Sequence, residues 1–206
     1  MKICFAVCAA LACVGPALAF FYTYKKEKLT KKELAVSAAL CAVLTFAVFR
    51  LEQKNAEPGE TVKILWILTI MTAAAYTDAE KRIVPNVLIF LGFAGRCLLY
   101  AAGFWVSPVG LGKLVLADLA ELGITMIIFL FLSFVSRGGL GPGDIKLLGV
   151  SGLHCGFSWT CSGFLYGTGI AACTCAWLLI SGKADRKYRI PMVPYILAGC
   201  LIMTVL

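Results

Sequence analysis

Charge is scarce in this chain. Only 15% of its 206 residues are Asp, Glu, Lys or Arg, while 61% are hydrophobic, against about a quarter charged and half apolar in an ordinary soluble domain. Histidine occurs once, at His154, so a Ser–His or Cys–His nucleophile would have to be built on that one residue. The ten cysteines include no C-x-x-C pair, which removes the usual spacing of a zinc site. Most of them (Cys4, Cys8, Cys13, Cys41, Cys97, Cys173, Cys175, Cys200) lie within apolar runs, where a thiol behaves as a small hydrophobe. Cys155 and Cys161 flank a predicted outer loop, a placement compatible with a disulfide. No internal repeat, low-complexity tract or strict two-residue alternation occurs, so a transmembrane barrel is excluded.

What the chain does have is long apolar runs. Its mean hydropathy is +0.90, and several runs approach the ~20 residues that span a bilayer. The expectation is an all-α, polytopic transmembrane bundle of about eight spans, at 3–23, 34–51, 62–78, 86–106, 113–135, 145–157, 160–181 and 190–206. The sixth is short, either a half-helix or continuous with its neighbour. The division is two N-terminal helices with their loops over 1–61, then a core over 62–206.

The net charge of +8 does not indicate nucleic acid, because most of the basic residues fall in short loops. Lys25 to Lys32, Lys81 and Arg82, Arg137 and Lys146, and Lys183 to Arg189 occupy alternate connections. The other connections carry acids at Glu52, Glu57 and Glu60. The positive-inside rule places the basic set in the cytoplasm. Met1, Lys2, an apolar stretch and Ala17-Leu18-Ala19 imitate a cleavable secretory signal. Cleavage would strand Lys25 to Lys32 outside, so a retained first helix is expected.

Two aspartates sit where apolar segments meet this basic face. Asp78 lies in Tyr76-Thr77-Asp78-Ala79-Glu80-Lys81-Arg82-Ile83-Val84-Pro85-Asn86. Asp144 lies in Gly138-Gly139-Leu140-Gly141-Pro142-Gly143-Asp144-Ile145-Lys146. Carboxylates at membrane depth are costly and mark functional sites by default. A close pair shares one proton, because both cannot easily ionise. Such a pair can activate water and protonate a scissile carbonyl, the chemistry of an aspartic protease. The glycines before Asp144 permit close backbone approach and offer an edge for an extended substrate strand. Lys146 is either an interface anchor or a charge that biases Asp144. Singly, each aspartate also reads as a helix cap or a solvated helix end; together, on one predicted face, they point to function.

At these residues the chain resembles the type 4 prepilin peptidases, bacterial members of the GxGD intramembrane aspartic proteases. Asp78 followed by Pro85 and Asn86, then Gly141-Pro142-Gly143-Asp144-Ile145-Lys146, then Pro191-Met192-Val193-Pro194-Tyr195, match the family's three elements in order. The resemblance covers roughly 62–206. It implies that Asp78 and Asp144 are the catalytic pair, with Gly141, Gly143, Lys146, Pro85 and Asn86 around them. It implies no metal and no cofactor, and a pilin or pilin-like precursor as partner. The precursor's short leader is cut at the cytoplasmic face of a bacterial inner or plasma membrane. The paired C-x-x-C domain that many relatives link to methylation of the new N-terminus is absent from this sequence, so cleavage without methyl transfer is expected. The presenilin branch fits worse, since Thr77 separates Tyr76 from Asp78.

Other charges have plainer readings. Arg96, in the fourth span, is expected to pair with Asp118 or Glu121 in the fifth. His154 is expected to be solvated in an outer turn. Gly163 and Gly167 have the small-residue spacing of helix packing within the bundle. The competing reading is a non-catalytic polytopic protein, a small transporter or an assembly factor, whose buried charges serve transport or packing.

Overall fold

The computed structural model describes residues 58–106, 109–182 and 190–205, with Phe46 and Arg50 besides. The predicted spans 3–23 and 34–51 therefore lie outside the described residues, apart from those two positions. The described residues are helical with no strand: α1 (Pro58–Lys81), α2 (Asn86–Val106), α3 (Leu111–Val135), α4 (Pro142–Ile180) and α5 (Val193–Val205). Among them α1 to α4 are long and apolar enough to cross a membrane, and α5 is a shorter apolar helix.

The helix ends follow local chemistry. Pro58 opens α1, where a missing amide costs nothing, and Glu60 in the first turn complements the dipole. Lys81 closes it, and Arg82 turns left-handed at φ 55°. Pro85 then precedes α2, and its carbonyl accepts the Leu88 amide at 3.1 Å. After α3 the chain turns through Arg137 and Gly138, both at positive φ.

α1 is the centre of the bundle. Leu65, Ile67, Leu68, Met71 and Ala74 are fully buried. Its buried threonines return their hydroxyls to the helix: Thr69 to the Leu65 carbonyl and Thr72 to that of Leu68, each at 2.8 Å. A helix buried on all sides has this character. α2, α4 and α5 surround it, and α3 packs mainly on α4. Phe90, Leu98, Trp105, Ile127, Phe131, Phe134, Leu165 and Ile180 are exposed, an apolar exterior suited to lipid.

α4 is two antiparallel arms. Gly156 has φ 83° and ψ 161°, far from helical. The Thr160 hydroxyl reaches the Ser151 hydroxyl at 3.1 Å although they are nine residues apart; a straight helix would separate them by about 13 Å. The chain therefore folds back at Gly156, and the short sixth segment expected at 145–157 is the first arm. The Phe157 amide that opens the second arm donates to Glu121 Oε2 at 2.8 Å.

The second arm meets α5 through glycine. A Cβ on Gly199 would strike the Gly163 carbonyl, and one on Gly167 would lie 2.6 Å from the Tyr195 carbonyl and 2.8 Å from Ile196 Cα. The small-residue spacing thus marks packing inside the chain. At the far end of α5, Arg50 donates to the Val205 carbonyl at 3.2 Å, a cation at a helix C-terminus. Gly167→Leu should lower stability by about 1–3 kcal/mol, measured as a drop in thermal unfolding temperature in detergent. Gly169→Leu, where an added Cβ meets nothing within 4 Å, should leave that temperature unchanged.

Candidate active site

Three helix ends meet around the two aspartates. Asp78 occupies the last turn of α1 and is only 7% exposed. A carboxylate at a helix C-terminus faces the negative end of its own dipole. The compensation comes from α5: the Val193 amide donates to Asp78 Oδ2 at 3.1 Å, and the Met192 amide bears on the same carboxylate. Asp144 stands in the first turn of α4, three residues after the N-cap Gly141. Its carboxylate reaches back to the Gly141 amide, one half of a capping box. The two aspartates are close enough that the charge of Asp78 bears on Asp144.

The flanking motif residues hold this arrangement. Gly143 lies against Val84, where a Cβ would come within 3.1 Å, so the turn after α1 sits directly on the start of α4. Gly141 keeps space for the Asp144 carboxylate, which would lie 3.2 Å from a Cβ there. Lys146 donates to Asn86 Oδ1 at 3.3 Å and ties α4 to the start of α2. Two residues along a helix is a rotation of about 200°, so Lys146 points away from Asp144. That speaks against its reading as a charge acting on the carboxylate. Beside it, Asn86, Ile89, Phe90, Phe93, Leu122, Met126 and Lys146 line a cavity of about 340 Å³.

The glycine-rich turn is closed on itself. The Gly138 amide bonds the Ser133 carbonyl at 2.8 Å, the Gly139 amide bonds Ser136 Oγ at 3.2 Å, and Ser133 Oγ bonds the Leu140 carbonyl at 2.9 Å. The turn is thus braced by Ser133 and Ser136, with the Gly141 amide beside the Asp144 carboxylate.

Arg96 pairs with Asp118, as its depth requires, at a side-chain exposure of 2%. The sequence reading missed the third member: the Tyr100 hydroxyl donates to Asp118 Oδ2 at 2.6 Å, and the Arg96 guanidinium lies 4.8 Å from the Tyr100 ring centroid. The i, i+4 spacing of Arg96 and Tyr100 was the available signal. Glu121 does not join this pair, because it caps the second arm of α4. His154 corrects the expectation of a solvated turn. It is 4% exposed, inside the first arm of α4, with Nδ1 donating to the Val150 carbonyl at 3.0 Å. Cys155 and Cys161 are free thiols. Among the described residues no group of three His, Cys, Asp or Glu is placed to hold a metal ion.

Fold and site together define a multi-pass helical membrane protein that brings two carboxylates to one end of its bundle. The chain belongs to the type IV leader peptidase family, which it matches over residues 65–205. It is similar to the prepilin leader peptidase/N-methyltransferase of Bacillus subtilis (strain 168), at 26% identity over 137 residues, 66% of this chain and 52% of that protein. The chain thus spans about half the length of that relative. No solved structure matches it.

The Arg96 pair generates a direct test. Arg96→Leu leaves Asp118 without its cation and should cost about 3–5 kcal/mol, the range for breaking a buried pair. The measurement is folded yield and unfolding temperature after extraction. Arg96→Leu combined with Asp118→Leu should recover part of the loss, whereas an unchanged unfolding temperature in the single variant would contradict the account.

Proposed function

We propose that this chain is an aspartic endopeptidase that removes the short leader from type IV prepilins or pilin-like precursors. The observation that carries the reading is the convergence of Asp78, from the end of α1, with Asp144, from the start of α4. Membership of the type IV leader peptidase family supports the substrate class.

Water held between the two carboxylates loses a proton to the ionised member as its oxygen attacks the scissile carbonyl. The protonated member donates its proton to the carbonyl oxygen. The tetrahedral intermediate then collapses: the C–N bond breaks, the first carboxylate passes its proton to the departing amine, and the second takes a proton back from one hydroxyl of the intermediate as the new carboxyl C=O forms, which restores the pair. The pair shares one proton and titrates as a unit. No metal or cofactor enters these steps.

In this proposal the active end faces the cytoplasm from a bacterial inner or plasma membrane, a reading supported by the basic connections at that end. A basic leader followed by an apolar helix would present its junction at that depth. The proposal concerns cleavage of the leader alone. The transporter form of the competing reading is less well supported, because its candidate charges are engaged within the fold, Arg96 with Asp118 and Glu121 with the Phe157 amide.

Asp78→Asn and Asp144→Asn should each reduce prepilin cleavage by about 10²–10⁴-fold, the scale of general acid–base catalysis. In Asp78→Asn the amide side chain retains an oxygen to accept the Val193 amide, so that variant should remain folded. Co-expression with a tagged prepilin, read by gel mobility, checks this. Cleavage at the wild-type rate in either variant would remove the aspartates from the mechanism.

A further inference from the structure

The Pro191-Met192-Val193-Pro194 run has no task in the mechanism above, yet it lies against the buried carboxylate. Its donors can be counted completely. Pro191 and Pro194 have no amide hydrogen. The Tyr195 and Ile196 amides both bond the Met192 carbonyl, each at 3.1 Å. Only Met192 and Val193 remain, and both are directed at Asp78, Val193 at 3.1 Å from Oδ2. The first amides of any helix lack partners within it, and in an apolar setting they must find an acceptor. Here the proline spacing leaves two such donors, and one carboxylate from another helix accepts from Val193 and lies beside Met192.

Resting on the proposed peptidase reading, we propose that the N-terminus of α5 is the positioning device for Asp78, with the Val193 amide as its principal donor. Asp78 sits at the unfavourable end of α1, so its own helix does not hold the charge there. The amides of α5 fix the rotamer through Oδ2 and offset the charge. The carboxylate is thereby held towards Asp144 before substrate arrives, the preorganisation that acid–base chemistry needs. Val193 acts through Asp78 and is a positioning residue. Its side chain is fully buried, so packing and amide have to be separated experimentally.

Proline at the first position of a helix is tolerated. Val193→Pro therefore deletes the amide while keeping a helix start of similar bulk, and Val193→Ala trims the side chain while keeping the amide. Val193→Pro should lower kcat for prepilin cleavage by about 10- to 100-fold, the scale of a misplaced catalytic group. KM should stay unchanged, and Val193→Ala, which keeps the amide but loses packing, should lose about threefold or less in kcat, well short of the proline variant. Equal losses in both variants would mean that packing alone matters and would overturn the proposal.

A second measurement needs no substrate and no proline variant. Met192-Val193 is the only Met–Val step in the sequence. Labelling with carbonyl-¹³C methionine and ¹⁵N valine therefore isolates the Val193 amide as one resonance in the full-length protein in detergent. Its proton should resonate downfield, move clearly upfield in Asp78→Ala, and move much less in Asp144→Ala. Insensitivity to Asp78→Ala would refute the contact, whatever the protein cleaves. Failure of wild type to cut any prepilin, with the resonance behaving as expected, would instead overturn the peptidase reading alone.

Discussion

Backbone amides at the start of a helix have no partner within it, and lipid supplies none. The fold meets that requirement with carboxylates. Asp78 of α1 accepts from Val193 at the start of α5, and Glu121 of α3 accepts from Phe157 at the start of the second arm of α4. Asp144 reaches the Gly141 amide at the start of the first arm. Each carboxylate gains favourable donors and a favourable dipole. Two of the three also tie one helix to another, so the same contacts that satisfy buried polar groups define which helix ends meet.

Two of these capping carboxylates are catalytic candidates because they fall at the same end of the bundle. α1 ends where α4 and α5 begin, and the turn from Arg82 to Pro85 seats Val84 against Gly143. That brings Asp78 and Asp144 within electrostatic reach. Glu121 performs a similar capping task where the chain reverses at Gly156, and the acid one turn before it, Asp118, is paired with Arg96. The difference between a structural cap and a catalytic candidate is therefore the neighbour.

Much of this was legible in the sequence. The span expected at 86–106 coincides with α2, and those expected at 62–78 and 113–135 lie within α1 and α3. The short sixth segment is real, because Gly156 permits the reversal that a continuous helix would not. The pairing of Arg96 followed from the cost of an unpaired charge in lipid. Tertiary contacts were not legible. His154 reads as a turn residue from its glycine-flanked position, but that turn is packed against α3, and the ring is enclosed. Lys146 is two residues from Asp144 in sequence, yet the helical repeat turns it towards Asn86. The match at Pro191 to Pro194 was visible as a motif, but its target, Asp78, lies 115 positions away. A count of available amides identifies the task only once the helix start is known.

The central claim is that the two carboxylates cleave a precursor where its leader meets its apolar helix. The most direct measurement is mass spectrometry of the pilin N-terminus from cells in which this chain is the only peptidase of its family, beside the same cells carrying Asp144→Asn. The account predicts a shortened N-terminus at the edge of the apolar helix with wild type, and an intact leader with the variant. An intact leader in both, with the wild-type protein folded in the membrane and a full panel of the cell's pilin-like precursors supplied, would contradict it.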